Sequence, residues 1–159
     1  MNPGLVMYEE EFRQISGICD RLTRDANAKV VFLVDKNGQL IAASGQSQNL
    51  DTTSLASLTA GNVAAMGGLA KLIGEKEFPN QFHEGERESL HMSIVAGRVV
   101  LVVIFDAKSS LGLVRLRVKK AGEELSRIFD HLAKKQAMPG AQSPFAEITD
   151  DDIDNLFSG

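Results

Sequence analysis

The sequence predicts an α/β protein of the α+β type, with its elements in the order α-β-β-α-β-β-β-α. Three segments carry apolar residues at alternating spacings of three and four, which is the period of an amphipathic helix. Short β-branched runs lie between them, and they meet at Asn37-Gly38 and at Ala96-Gly97. Such turn residues between β-branched runs indicate β-hairpins.

The first helix and the first hairpin occupy residues 8–43. Spacings of four and three relate a set of apolar positions that predicts a helix over residues 8–24: Tyr8, Phe12, Ile15, Cys19 and Leu22. Residues 29–34 and 39–43 are the two predicted strands. Because Asn and Gly both accept a positive φ, we expect a tight turn at Asn37-Gly38.

The middle helix, centred on SLTAGNVAAMGGLAK (residues 57–71), has two unequal faces. N-cap candidates lie at residues 51–54, and Gly74 and Pro79 mark its end. One face carries the bulkier residues and is expected to serve the core: Leu55, Leu58, Asn62, Ala65, Leu69 and Ile73. The other face is smoother: Ser57, Gly61, Ala64, Gly68 and Lys71.

Three glycines inside this helix need an explanation, because each costs about 0.5–1 kcal/mol relative to alanine. They are Gly61, Gly67 and Gly68. In one interpretation they let a buried helix pack tightly on a sheet. In the other they form a docking surface for a second polypeptide, which we favour because bulky apolar residues are available elsewhere on the helix.

The second half of the chain predicts three strands and a long helix. Residues 81–84 give a weak strand signal, whereas residues 89–96 and 98–105 are clearer and meet at Ala96-Gly97. The last strand is apolar on both faces, so we expect it at the centre of the sheet. A helical register from Leu111 to Leu132 predicts the final helix over residues 110–135.

Composition indicates one domain over residues 1–135, followed by a flexible linker and an acidic amphipathic segment over residues 136–159. Cys19 is the only cysteine, and no stretch is apolar enough to cross a membrane or to serve as a secretory signal, so we expect a cytoplasmic protein. The body carries a net charge of +1 and the tail −5. Without a basic face, nucleic-acid binding is not expected.

The acidic segment is patterned in spite of its charge. Thr149 and Asp152 have capping-box spacing, and Ile148 and Ile153 lie at staple positions. An apolar stripe follows: Ile153, Leu156 and Phe157. Two interpretations stay open, a solubilising tail and a partner-docking peptide that folds on contact.

The residues give no catalytic, metal or cofactor site. His83, His91 and His131 lack metal-ligand spacing, and Cys19 lies in the apolar register of the first helix. The helix glycines match neither the phosphate-binding loop nor the dinucleotide fingerprint. The sequence therefore favours a protein that acts on other proteins and is not itself an enzyme.

The element order resembles that of the roadblock family, small modules related to the longin and profilin-like folds. The resemblance rests on VVFLVDKNGQLIAASG, SLASLTAGNVAAMGGLAKLIG, SIVAGRVVLVVIFD and SSLGLVRLRVKKAGEEL, within residues 8–135. It is closer to a bacterial branch that stimulates a Ras-like GTPase in gliding motility and cell polarity. The ending SPFAEITDDDIDNLF supports that branch, because ordinary roadblock modules stop after the last helix.

The resemblance implies a five-stranded antiparallel sheet with the middle helix on one face and the terminal helices on the other. It implies a homodimer, in which equivalent edge strands pair and the middle helices lie side by side, and a location that includes a cell pole. The paired helices would receive the switch regions of the GTP-bound GTPase on a platform of nine residues: Ser57, Thr59, Ala60, Gly61, Val63, Ala64, Gly67, Gly68 and Lys71.

Stimulation would come from gripping the switch loops, without an arginine entering the nucleotide site; Arg87 and Arg98 are the two arginines near glycine-containing turns. We expect the tail to contact the partner away from this platform through four apolar residues: Ile148, Ile153, Leu156 and Phe157. Two alternatives stay open, a structural roadblock dimer that only tethers partners and a PAS- or GAF-type small-molecule sensor.

Overall fold

The computed structural model describes residues 8–137, and its eight elements follow the predicted order. The three helices are α1 (Glu9–Asp25), α2 (Thr52–Leu72) and α3 (Leu111–Ala137). The five strands are β1 (Val30–Asp35), β2 (Leu40–Gly45), β3 (Asn80–Glu84), β4 (Ser89–Val95) and β5 (Val99–Phe105). Within the described range no helix has the length and apolar content to span a membrane.

The strands form one antiparallel sheet in the order β2-β1-β5-β4-β3. The central position predicted for the last strand is confirmed, since β5 lies between β1 and β4 and all seven of its residues are buried. A strand that is covered on both faces needs apolar residues at every position, and its sequence VVLVVIF has them. The edge strands are β2 and β3.

Each face of the sheet builds its own apolar core. Val99, Leu101 and Val103 of β5 pack with residues of α1 and α3 on one face. Val100 and Val102 pack on the other face, where α2 contributes the buried Ala56. The predicted arrangement, with the middle helix on one face and the terminal helices on the other, is confirmed.

The two hairpin turns differ in how far the prediction holds. Ala96 and Gly97 both have positive φ, 55° and 65°, as expected for a tight turn. The first hairpin forms as predicted, but its turn is not the tight turn expected at Asn37-Gly38: within the connection Gly38 alone has positive φ, at 92°. The pairing shifts register after Leu33 and the connection is longer than two residues. The Asp35 carboxylate stabilises this connection by accepting hydrogen bonds from the backbone N–H groups of Asn37 and Gln39, at 2.9 and 3.0 Å.

The start of α2 is fixed by a predicted N-cap. The Asp51 carboxylate accepts a hydrogen bond from the Ser54 backbone N–H at 3.0 Å and another from its hydroxyl at 2.7 Å. These bonds stabilise the ionised carboxylate and lower the pKa of Asp51. The cap therefore fixes where the helix begins.

Candidate protein-docking surface

Short side chains form the face of α2 that contacts the sheet. Ala56, Thr59 and Ala70 are its buried residues, and Leu55 and Val63 pack against the core beside them. The β1–β2 turn approaches the same helix closely, since a Cβ added at Gly38 would lie 3.5 Å from the Ser57 Cα. Small residues on this side allow the backbones to come together.

Most of the bulkier apolar residues of α2 lie at the surface. The expectation that their face serves the core holds for Leu55 and is wrong for Leu58, Leu69 and Ile73. The exposed fractions are 72% for Leu58, 47% for Leu69, 85% for Leu72 and 64% for Ile73. We call these four residues the leucine strip. A helix that is apolar all round needs cover on every side, and a single sheet covers only one.

The smooth face predicted for docking is exposed as well. It consists of Ser57, Gly61, Ala64, Gly68 and Lys71, which we call the small-residue strip. A Cβ added at Gly61, Gly67 or Gly68 would meet nothing within 4 Å. These glycines therefore do not serve tight packing of α2 on its own sheet, and the first of the two interpretations is wrong.

Four of the nine predicted platform residues lie outside this exposed strip. Thr59 is buried, and Ala60, Val63 and Gly67 are partly buried on the sheet side or along its border. The other five are the small-residue strip itself. The structure thus brings five predicted residues together on one exposed surface and buries Thr59 against the sheet. The other three are partly buried and line an open cleft together with Ala64, Gly68 and Lys71.

A positively charged cleft of about 360 Å³ borders the small-residue strip. Lys36 from the β1–β2 turn, Lys71 from α2, and Lys76 and Glu77 from the loop before β3 all line it. Lys36 pairs with Glu77 at 3.7 Å, whereas Lys71 and Lys76 form no ion pair within residues 8–137. The cleft therefore offers two uncompensated cations to an acidic partner.

Sequence reasoning missed both the leucine strip and the charge of this cleft. The leucine strip had a signal, since α2 carries apolar residues on all sides of its helical wheel. No comparable signal in the sequence pointed to the lysines of the cleft. Lys36 and Lys76 are brought together only by the approach of the hairpin turn to the loop after α2.

No three His, Cys, Asp or Glu side chains among residues 8–137 could share a metal ion. His83 and His131 are exposed and His91 is buried, where desolvation and the Arg115 charge lower its pKa. Cys19 is buried as predicted, and burial, with a smaller effect from Asp20, raises the pKa of its thiol to about 12.

Some predicted features lie outside the described residues. These are the tail-docking residues Ile148, Ile153, Leu156 and Phe157, and nearly all of the predicted linker and acidic segment.

Comparison with known proteins gives one family and one set of close structural relatives. The Roadblock/LC7 domain family matches residues 15–105. The structure of Myxococcus xanthus MglB is 77% identical in sequence, with a TM-score of 0.77, and the match covers 80% of this chain and 96% of that one. The gliding protein MglB of Thermus thermophilus is 33% identical with the same TM-score of 0.77, over 82% and 99% of the two chains. Another MglB structure, described as having a tetrameric arrangement, is 33% identical with a TM-score of 0.77, over 83% and 99%.

Proposed function

Since the chain belongs to the Roadblock/LC7 family, we propose that it is a homodimeric activator of a Ras-like small GTPase that regulates gliding motility and cell polarity. It binds the GTP-bound form and stimulates hydrolysis by positioning the switch regions. In this role it is a regulator and not an enzyme, and the groups that react belong to the GTPase. The likeness to MglB of two bacteria, one of them described as a gliding protein, supports the motility setting.

The observation that carries the proposal is the uncovered outer surface of α2. The leucine strip and the small-residue strip lie next to each other on the helix, and nothing within residues 8–137 covers either of them. Contiguous exposed apolar surface on a folded protein marks an interaction site. A two-fold axis would place the same helix against itself and cover part of this surface in a homodimer.

The remaining surface suits the switch loops of a GTPase. Glycine and alanine at Gly61, Ala64 and Gly68 leave backbone accessible to a loop, and the cations of the neighbouring cleft attract acidic side chains. A dimer that binds the hydrolysis-competent switch conformation more tightly than the others shifts the GTPase towards it. The difference between the two affinities sets the largest stimulation this mechanism can give.

The mechanism predicts that no arginine of this chain enters the nucleotide site. Arg87 and Arg98 lie in exposed turns at opposite ends of the sheet, Arg98 beside Lys36, whose N–H donates to the Arg98 carbonyl at 3.2 Å. A transferred arginine finger is worth about 10³–10⁵ in hydrolysis rate. We therefore expect Arg87→Ala and Arg98→Ala proteins to keep stimulation within a few-fold of the wild type in a single-turnover assay. Normal binding with stimulation lost by orders of magnitude would overturn the mechanism.

Complex formation is best tested by size-exclusion chromatography with light scattering. The protein is run alone and with the candidate GTPase loaded with a GTP analogue or with GDP. We expect a dimer alone and a complex with the triphosphate form only. Equal binding of both forms contradicts the proposal.

A multiple-turnover hydrolysis assay separates activation from tethering. A non-catalytic roadblock scaffold would bind its partner without raising the hydrolysis rate. We expect the rate to rise with the concentration of this protein and to saturate when the GTPase is fully bound.

We further propose that the tail residues Ile148, Ile153, Leu156 and Phe157 contact the GTPase away from the α2 surface. Deleting residues 142–159 is then expected to weaken partner affinity or to change nucleotide exchange while the α2 surface still binds. Unchanged values for both would leave the tail only a solubilising role.

A further inference from the structure

A second open groove lies on the opposite face of the sheet from α2. It has a volume of about 770 Å³ and runs between α3 and the β3–β4 half of the sheet. The helix and the strand approach closely within its lining, where a Cβ added at Gly122 would lie 3.9 Å from the Val95 Cγ2.

The floor of the groove holds polar groups that have no partner. His91 and Ser93 of β4 are only 3% and 7% exposed, and both line the groove. Neither the His91 Nδ1 nor the Ser93 Oγ has a hydrogen-bond partner in the described part of the chain. Buried polar groups in folded proteins almost always find partners, so an occupant that supplies polar atoms fits here.

The wall of the groove is positively charged with an apolar contact point. Arg115, Lys119 and Arg127 of α3 line it, and none of them forms an ion pair within residues 8–137. Glu123 is the single acidic residue among the lining residues. Leu116 stands between the cations with 62% of its surface exposed. The groove suits a segment that combines carboxylates with apolar side chains.

We propose that this groove holds the chain's own acidic C-terminal segment, residues 147–157, while the protein is free of its partner. That segment carries five carboxylates and no cation, so it complements the three unpaired cations of α3. Its apolar residues match the exposed Leu116. The docking is independent of GTPase stimulation, so either proposal can fail without the other.

The length of the chain allows this docking. The described part of α3 ends at Ala137. The last turn of this helix is held in place because Lys135 pairs with Glu11 at 3.3 Å and lies 4.1 Å from the Tyr8 ring centre. Arg115 lies 22 residues before Ala137, which is about 33 Å along a helix. The eleven residues from Ala137 to Ile148 span up to about 36–40 Å when extended. The acidic segment can therefore reach every part of the groove.

Paramagnetic relaxation in the full chain tests the docking directly. A nitroxide label is attached to a Ser158→Cys variant, and labelling is selective because the native Cys19 is buried and its pKa is raised to about 12. We expect loss of amide signal at residues 91–95 and 115–127, with the α2 amides of residues 57–68 unaffected. The loss should disappear in 1 M salt, where the Debye length is about 3 Å.

Charge reversal identifies the docking site. Arg115→Glu with Lys119→Glu is expected to restore the lost signals, whereas the matched pair Lys108→Glu with Lys120→Glu keeps the loss, since neither Lys108 nor Lys120 lines the groove. An unaltered pattern of wild-type amides outside the groove shows that each variant is folded.

Three results would overturn the proposal. The first is the absence of signal loss at the groove in the wild type. The second is an equal response of the two charge-reversal pairs. The third is signal loss in a sample where label and isotope are on different chains, which would assign the contact to a second copy.

Discussion

At the scale of single residues, Gly38 is one of the glycines whose backbone conformation favours the absence of a side chain. Its φ of +92° lies in the region that L side chains rarely adopt, and it sits where the β1–β2 turn meets α2. A Cβ there would meet Ser57 only at ordinary contact distance, 3.5 Å. Any cost of a side chain therefore comes from the backbone and not from collision.

This predicts opposite effects for two Gly→Ala substitutions. Gly38→Ala should lower the free energy of unfolding by about 1–2 kcal/mol, the cost of the left-handed conformation. Gly17→Ala in the middle of α1, where an added Cβ meets nothing, should raise it by about 0.5–1 kcal/mol. Urea unfolding at a fixed protein concentration measures both. Equal effects of the two substitutions would contradict the assignment.

Cys19 predicts a loss of stability at high pH. The folded state holds the thiol neutral up to about pH 12, whereas an unperturbed thiol ionises near 9.0. Between these values the unfolded state has lost a proton that the folded state keeps, so the free energy of unfolding falls as pH rises, by up to about 1.4 kcal/mol per pH unit.

Unfolding curves between pH 8 and pH 11 check this, with Cys19→Ala as the control that cannot titrate. The wild type should lose stability more steeply than the variant. Parallel curves would show that burial does not hold the thiol neutral.

At the scale of the elements, α2 shows what sequence periodicity can and cannot decide. Its limits, its N-cap Asp51 and its small-residue strip could be predicted, because these depend on local chemistry and on the helical wheel. The sequence could not decide which apolar arc of the helix meets the sheet. A wheel with leucines on one arc and alanines on another permits both choices, and the close approach of the hairpin turn selects the alanines.

The exposed leucine strip predicts that self-association depends on α2. Leu69→Ser should raise the dimer dissociation constant by about tenfold or more, since full burial of a leucine is worth about 1.5–3 kcal/mol. Phe12→Ser on α1 is the matched control, because the two residues have similar exposed fractions of 47% and 45%. Sedimentation equilibrium of both variants gives the constants. If Phe12→Ser weakened the dimer and Leu69→Ser did not, the interface would lie on the other face of the sheet.

At the scale of the whole molecule, the element order and the central position of β5 were predictable, because strand composition reports how many faces are covered. Contacts between elements far apart in sequence could not be predicted. Arg115 lies beside His91 only because α3 crosses the sheet over β4, and Lys36 pairs with Glu77 only because the hairpin turn reaches the loop after α2. Both charged clefts therefore emerged from the structure alone.

The central claim is that the outer surface of α2 receives a second polypeptide. Its most direct test is whether the Gly68→Arg protein still forms a complex with the GTPase in its GTP-analogue form, measured by light scattering. The matched control is Gly112→Arg in the first turn of α3, where an added Cβ also meets nothing within 4 Å among residues 8–137. We expect Gly68→Arg to lose the complex or the dimer while remaining folded, and Gly112→Arg to keep both. Dimerisation and triphosphate-selective binding that both survive Gly68→Arg would contradict the account.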